Sequence, residues 1–197
     1  MTKRWRAIVR WALLGALSGT LATLAIFVPR WLNFYDALEG EIRIAGFGLF
    51  FSPLSVAPGL VFGLVLGYAL KRRDLALDGL YAVYVLASGL SYFVTVQLTI
   101  NIIMALLDSP VLIGIAAGAV GAALLTGATA VMIPEYRRRR PAITMILVGA
   151  ALGAALFFAV ESERFLNWFL LFAPWQAGYA AAMATAVEKR EPAGRDG

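Results

Sequence analysis

The chain has 197 residues, of which 61% are hydrophobic and only 15% charged, and its formal net charge is +5. Soluble domains carry about 45–50% apolar and about 25% charged residues, so this composition excludes an ordinary water-facing globule. The chain has no Cys and no His, which excludes disulfides and removes the usual ligands of zinc and haem. We therefore expect no cofactor and no metal.

Apolar segments of membrane-spanning length recur along the sequence. A helix needs about 20 mostly apolar residues to cross about 30 Å of hydrocarbon. The segments are 8–28, 55–70, 80–100, 111–133, 142–160 and 165–187. They predict an all-α fold, a polytopic bundle of six transmembrane helices that forms a single domain over residues 1–187, with a short cytoplasmic tail at 188–197.

The first segment follows a basic leader, as the apolar region of a signal peptide does. It is longer than the about 7–15 residues typical of such a region, and no A-x-A cleavage site lies at its end. The sequence therefore favours a first span that is retained.

Prolines interrupt the second apolar segment. Residues 44–70 carry no charge but contain Pro53 and Pro58. Proline inside a helix removes a backbone hydrogen bond and clashes with the preceding turn. We therefore expect a segment broken at these prolines, with a short piece at 44–51 ahead of the span. Two interpretations of the short piece stay open, a re-entrant segment and a helix that rests in the headgroups.

The third segment carries a stripe of polar side chains. Its members recur at spacings of three and four, which places them on one helix face: Tyr81, Tyr84, Ser88, Ser91, Tyr92, Thr95 and Thr99. Hydroxyls in hydrocarbon need partners, so this face either lines a solute pathway or ties helices together. With polar residues near the outer end and in the last segment, we expect a ligand site formed by Ser88, Ser91, Tyr92, Thr95, Thr99, Asn101, Asp108, Trp175 and Gln176.

Glycines spaced four residues apart mark faces for close helix packing. Gly59, Gly63 and Gly67 form one stripe, and Gly114 with Gly118 forms another. Without side chains, two helix backbones approach closely and gain dispersion contacts. The stripes predict packing within the bundle, and a homo-oligomer or a membrane-protein partner on these faces is the alternative.

The basic residues predict the orientation. In a six-span arrangement, 14 of the 17 Lys and Arg residues fall on the side of the N-terminus, while Arg30, Arg43 and Arg164 fall on the other side. Positive loops stay cytoplasmic, so both termini are expected inside, in a bacterial cytoplasmic membrane. The expected partner of the basic runs is the lipid bilayer with its anionic headgroups, and no nucleic acid is expected.

The functional classes differ in what supports them. The polar third segment and the aromatic turns of the outer half favour a protein that binds or transports a small solute. A non-catalytic accessory subunit of a larger membrane complex is the alternative, supported by the glycine stripes. An intramembrane enzyme would use Asp108, Glu161 and Glu163, yet no catalytic motif accompanies these carboxylates.

In size, helix number and orientation, the predicted bundle is similar to the six-helix substrate-binding subunits of energy-coupling-factor vitamin importers. This resemblance implies a helical membrane subunit that binds its ligand without catalysing a reaction.

Overall fold

The computed structural model describes residues 2–44, 47–72, 78–156, 159 and 164–187. Within these ranges the chain is mostly helical, as the sequence predicts. The long helices are α1 (Lys3–Trp31), α2 (Pro53–Lys71), α3 (Asp78–Leu98), α4 (Pro110–Met132), α5 (Arg139–Gly153) and α6 (Phe165–Val187). A π-helical turn, Thr99–Ile103, extends α3 as far as Leu106. The predicted tail at 188–197 and part of the predicted fifth span lie outside the described residues.

Local signals set the ends of the first two long helices. The Ser52 side chain accepts a hydrogen bond from the Ser55 N–H at 3.3 Å, and Ser55 Oγ accepts one from the Ser52 N–H at 3.0 Å. This reciprocal pair is a capping box, and Pro53 follows it at a position where no N–H is needed. Beyond α1, Asn33 adopts a left-handed conformation (φ 57°), which helps to stop the helix.

Pro58 does not break the second helix. The apolar segment is interrupted at Pro53, as predicted, because β2 ends at Phe51 and α2 begins at Pro53; α2 then runs without interruption to Lys71, so the predicted break at Pro58 is wrong. Pro58 lies in the second turn, where it removes the hydrogen bond to the Leu54 carbonyl without ending the helix. The irregular backbone lies ahead of the helix instead.

A β-hairpin stands where the sequence predicts a re-entrant piece or a surface helix. β1 (Gly40–Ile44) and β2 (Phe47–Phe51) pair antiparallel. Arg43 Nε donates to Glu41 Oε1 at 2.7 Å, and this bond together with the carboxylate charge raises the pKa of the Arg43 guanidinium. We call this end of the bundle the hairpin end, and the opposite end, where α1 begins, the basic end.

The long helices form a ring in which helices consecutive in the chain are neighbours. Each helix from α1 to α5 packs on the next one, and α6 packs on both α5 and α1, which closes the ring. Neighbouring helices run antiparallel, so each helix contributes one half to the hairpin end and one half to the basic end.

Glycines bring three of these seams into backbone contact. The seams are those of α1 with α6, α2 with α3, and α4 with α5. A Cβ added to any of the following glycines would come within 3.0 Å of a backbone atom of the neighbouring helix: Gly15, Gly19, Gly59, Gly63, Gly114, Gly118, Gly149 and Gly153. Gly67 packs on the rings of Tyr81 and Tyr84. Both predicted glycine stripes are therefore occupied within the chain.

The outer surface of the ring is apolar. Four helices are long and apolar enough to cross a membrane: Lys3–Trp31, Pro53–Lys71, Gly79–Leu106 and Pro110–Met132. Large exposed side chains on them include Leu17, Leu64, Leu86 and Val131. In the part of the chain that the structure describes, no charged side chain is buried. This distribution suits a protein surrounded by lipid.

Candidate functional site

A cavity of about 290 Å³ lies inside the ring, in its hairpin-end half. Its walls come from α2, α3, α4, α5 and α6. Among the described residues, none of α1 lines it, because α2 and α6 meet in front of α1 through a hydrogen bond between Gln176 and Pro58. The volume is about twice that of an apolar protein cavity that holds benzene, so a small organic molecule fits.

Seven of the nine residues predicted to form a ligand site line this cavity: Ser88, Ser91, Tyr92, Thr95, Thr99, Trp175 and Gln176. The first five share one face of α3, as their spacing indicates. α6 runs antiparallel to α1 on the other side of the space and brings the remaining two. The α3 residues and the α6 residues therefore border the same space, as residues of one ligand site must.

The wall hydroxyls point at backbone acceptors. Ser88 Oγ donates to the Gly59 carbonyl of α2 at 2.7 Å. Thr95 and Thr99 each donate to the carbonyl four residues earlier in α3, also at 2.7 Å. These hydroxyls have used their only donors, and Ser88 ties two helices together. The cavity surface that remains is made chiefly of carbon.

Gln176 differs from these three residues. Its side chain is buried, with 2% exposure, and Nε2 donates to the Pro58 carbonyl at 3.4 Å. A carbonyl only accepts, so the amide nitrogen must face Pro58, and the amide oxygen is fixed on the other side. That oxygen, Oε1, is buried without a partner. An unpaired buried acceptor costs about 1–3 kcal/mol, which a donor that reaches this oxygen would offset.

Aromatic rings form much of the α6 side of the wall. Trp168 stacks on Phe172 with ring centroids 5.8 Å apart, and Tyr92 approaches Phe172 at 6.1 Å. Trp175 donates its indole N–H to the backbone of α5 at 2.9 Å, which fixes the ring. Phe172 and Phe62 also line the cavity, yet neither carries a sequence signal, because a cavity wall and a packed core have the same composition.

Two of the predicted ligand residues, Asn101 and Asp108, do not line the cavity. Asn101 Nδ2 donates to the Gly48 carbonyl of β2 at 3.0 Å and to the Gln97 carbonyl at 2.9 Å. Asn101 lies four residues after Gln97, so these two share a helix face that points at the hairpin rather than at the ring axis. Asp108 is exposed in the loop between α3 and α4.

A second polar cluster lies toward the basic end, beyond the residues that line the cavity. Thr126 Oγ1 and the Tyr179 hydroxyl lie 2.8 Å apart in a hydrogen bond, one turn beyond Gln176 on α6. The Tyr84 hydroxyl is buried without a hydrogen-bond partner.

Of the residues considered for catalysis, the structure describes Asp108 alone. Asp108 is exposed in the loop between α3 and α4 and does not line the cavity, and Glu161 and Glu163 lie outside the described residues. Across the described ranges, no three His, Cys, Asp or Glu side chains are grouped so that they could hold a metal ion.

The comparisons with known proteins add no relative. No protein-family model matches the chain, no curated protein matches it significantly, and no solved structure does.

Proposed function

We propose that the chain is a six-span protein of a cytoplasmic membrane, and that it binds a small, mainly apolar solute in the hairpin-end half, in a transport-related role. The observation that carries the proposal is an apolar cavity whose wall includes Gln176, a side chain whose buried amide oxygen, Oε1, has no partner. Pockets of this kind bind through apolar contact and take their selectivity from a few polar groups. A ligand with one N–H or O–H donor that reaches Oε1 would satisfy this acceptor.

The ring supports six spans rather than four. α5 packs alongside α4, and α6 packs alongside α1, over much of their lengths. If α1 and α4 cross the bilayer, their antiparallel neighbours occupy the same depth. The outer faces of α5 and α6 also carry large exposed apolar side chains, among them Ile143, Leu147, Leu166 and Leu170. The charge distribution then favours a cytoplasmic basic end.

The orientation can be tested with single cysteines because the chain has none of its own. We expect Asp108→Cys to react with a membrane-impermeant maleimide on intact cells, since Asp108 lies in an exposed loop at the hairpin end. Arg138→Cys, exposed at the basic end, is expected to react only after permeabilisation. Labelling of both residues from the same side would contradict the predicted span at 111–133 that lies between them.

Ligand binding can be tested with phenol and anisole, which differ chiefly in one hydroxyl donor. In lipid nanodiscs, the wild-type protein is expected to bind phenol more tightly than anisole. Gln176→Met keeps the volume but removes the acceptor, so phenol affinity is expected to fall about threefold to tenfold while anisole affinity stays the same. Saturation-transfer NMR titrations measure both.

A matched control is Thr23→Val, because Thr23 is buried on α1, which does not line the cavity. This variant is expected to retain the preference for phenol. Equal affinities for the two probes in the wild-type protein, or no binding of either, would overturn the proposal.

The alternative of a non-catalytic accessory subunit rests on glycine faces that are open to a partner. In the structure, the chain's own helices cover these faces. The lack of charged residues in the middle of the spans, which also motivated this alternative, is equally compatible with an apolar solute site.

A further inference from the structure

We infer that the ligand enters from the hydrocarbon of the membrane through a side opening between α3 and α4, and that it is a single-chain amphiphile whose head carries one O–H or N–H donor. This inference rests on the proposed function and adds the route of entry and the chemical class of the ligand.

The exposed part of the cavity wall is confined to one place. Of the residues that line the cavity, three are exposed: Ile100 (41%) and Met104 (50%) near the end of α3, and Pro110 at the start of α4. The other lining residues are buried or half-buried. The mouth of the cavity is therefore bordered by these three apolar side chains.

The short loop that connects α3 to α4 lies above the mouth, so the mouth opens in the plane of the membrane. Only Leu107, Asp108 and Ser109 join α3 to α4, and Ser109 caps α4 by accepting a hydrogen bond from the Leu112 N–H at 3.5 Å. An opening between two helices that lies below their short connecting loop looks out between them, toward the lipid. Asp108 marks the level of the water-facing loop.

The surface around the mouth is apolar too. The exposed side chains beside it are Ile102, Leu106, Val111 and Leu112. A mouth that served a water-soluble solute would need polar groups at its rim, since water and solute lose hydrogen bonds on passing an apolar surface. A hydrocarbon chain loses none.

The helices at this seam allow an opening there. The α3–α4 seam is not among the three seams in which glycines bring two backbones together. Its glycine contact is with a side chain, since a Cβ on Gly121 would lie 3.2 Å from Thr95 Oγ1. The π-helical turn Thr99–Ile103 lies at the mouth and supplies Thr99 and Ile100 to the wall. Single π turns in α-helices are frequent at functional sites.

The two ends of the space define the ligand. Its inner part is bordered by Gln176, whose buried Oε1 has no partner, and its outer end is an apolar mouth. A molecule that satisfies both places its donor at Gln176 and lets its hydrocarbon tail pass the mouth into the bilayer. An alkylated phenol has this chemistry.

The test compares 4-ethylphenol, which fits within the cavity, with 4-dodecylphenol, whose tail must leave it. Binding is measured in nanodiscs and expressed per mole of membrane-partitioned probe. We expect the affinity for the dodecyl compound to lie within about tenfold of the affinity for the ethyl compound. A loss of about tenfold or more, with ethylphenol still bound, would overturn the side opening and leave the proposed function intact. Binding of neither probe would overturn both.

A blocking variant isolates the mouth itself. Ile100→Trp narrows it, so dodecylphenol affinity is expected to fall about tenfold or more, and by a larger factor than ethylphenol affinity, because only the dodecyl tail has to occupy the mouth in the complex. Leu90→Trp is the matched control, since Leu90 is exposed on the same helix but does not line the cavity. An equal response of both probes to Ile100→Trp would overturn the inference.

A nitroxide label gives a second measurement that does not need a ligand. Attached to Met104→Cys, it is expected to be more accessible to oxygen, which dissolves in hydrocarbon, than to a water-soluble nickel chelate. The same label at Asp108→Cys is expected to show the reverse. Higher nickel accessibility at position 104 would place the mouth in water and overturn the inference.

Discussion

Gly118→Ala is expected to destabilise the bundle by about 1–3 kcal/mol, because the added Cβ has no free space. It would meet the Gly149 carbonyl oxygen and lie 2.8 Å from the Gly153 Cα. Both neighbours are backbone atoms, so no flexible side chain can move aside. α4 and α5 would have to separate and lose dispersion contacts along the seam. Unfolding in mixed micelles, followed by circular dichroism, measures the change.

Gly127→Ala on the same helix is the matched control. A Cβ at Gly127 has no atom within 4 Å that it would meet, so the variant is expected to be as stable as the wild type or up to about 1 kcal/mol more stable, through its better helix propensity. Similar destabilisation by the two alanines would show that helix propensity or lipid contact, and not the approach of two backbones, determines the effect.

Gln97→Met is expected to release the hairpin from α3. Gln97 Oε1 accepts from the Phe50 N–H at 3.0 Å, and Nε2 donates to the Phe50 carbonyl at 2.8 Å. Each hydrogen bond contributes a net of about 1 kcal/mol, so the loss of both is expected to lower the free energy of opening β2 away from α3 by about 2 kcal/mol. The Phe50 amide hydrogen is then expected to exchange about thirtyfold faster. Hydrogen–deuterium exchange of peptides that cover β2 measures this.

Asn101→Leu provides a graded comparison. Asn101 makes one hydrogen bond to β2, to the Gly48 carbonyl, so its loss is expected to accelerate exchange less than Gln97→Met does. Gly48 and Phe50 lie two residues apart on one strand edge, and Gln97 and Asn101 lie one turn apart on α3. Two residues of a strand span about 6.6 Å and four residues of a helix rise about 6 Å. The two bonded positions of β2 therefore lie opposite the two amide side chains of α3. If Asn101→Leu released the hairpin and Gln97→Met did not, the hydrogen bonds between Gln97 and Phe50 would not be what holds the hairpin on α3.

The sequence predicts the helices well because their signals are local. A run of about 20 apolar residues has few alternatives to a helix in lipid, where every backbone group needs a partner. The face that carries Ser88 and Thr95 follows from the helical period alone. The same period shows in retrospect that Asn101, six residues after Thr95, points elsewhere.

The sequence does not predict the hairpin, for a physical reason. Residues 47–51 are an apolar run, and a short apolar run does not distinguish a strand from a helix. The alternation of Glu41 and Arg43 with isoleucines in β1 is the period of a strand and was the available signal. Pro58 misled because the position of a proline within a helix decides its cost, and the position depends on where the helix begins.

The cavity itself has no signature in the sequence. The cavity is the space left between helices whose facing side chains include Phe172, Trp168 and Phe62. The distances between these helices depend on the packing of the whole ring. The unpaired oxygen of Gln176 likewise depends on which carbonyl the amide nitrogen meets, here that of Pro58, which lies far away in the chain.

The close seam between α1 and α6 has a consequence for biogenesis. α1 is synthesised before the other long helices, and α6 is synthesised after them. The glycine face of α1 at Gly15 and Gly19 therefore has no packing partner until α6 is inserted. Until then the inserted helices form an open arc with one flank toward lipid. Arrival of α6 closes the ring and supplies Gln176 in the same step, so translation that stops short of α6 leaves neither a closed bundle nor a binding site.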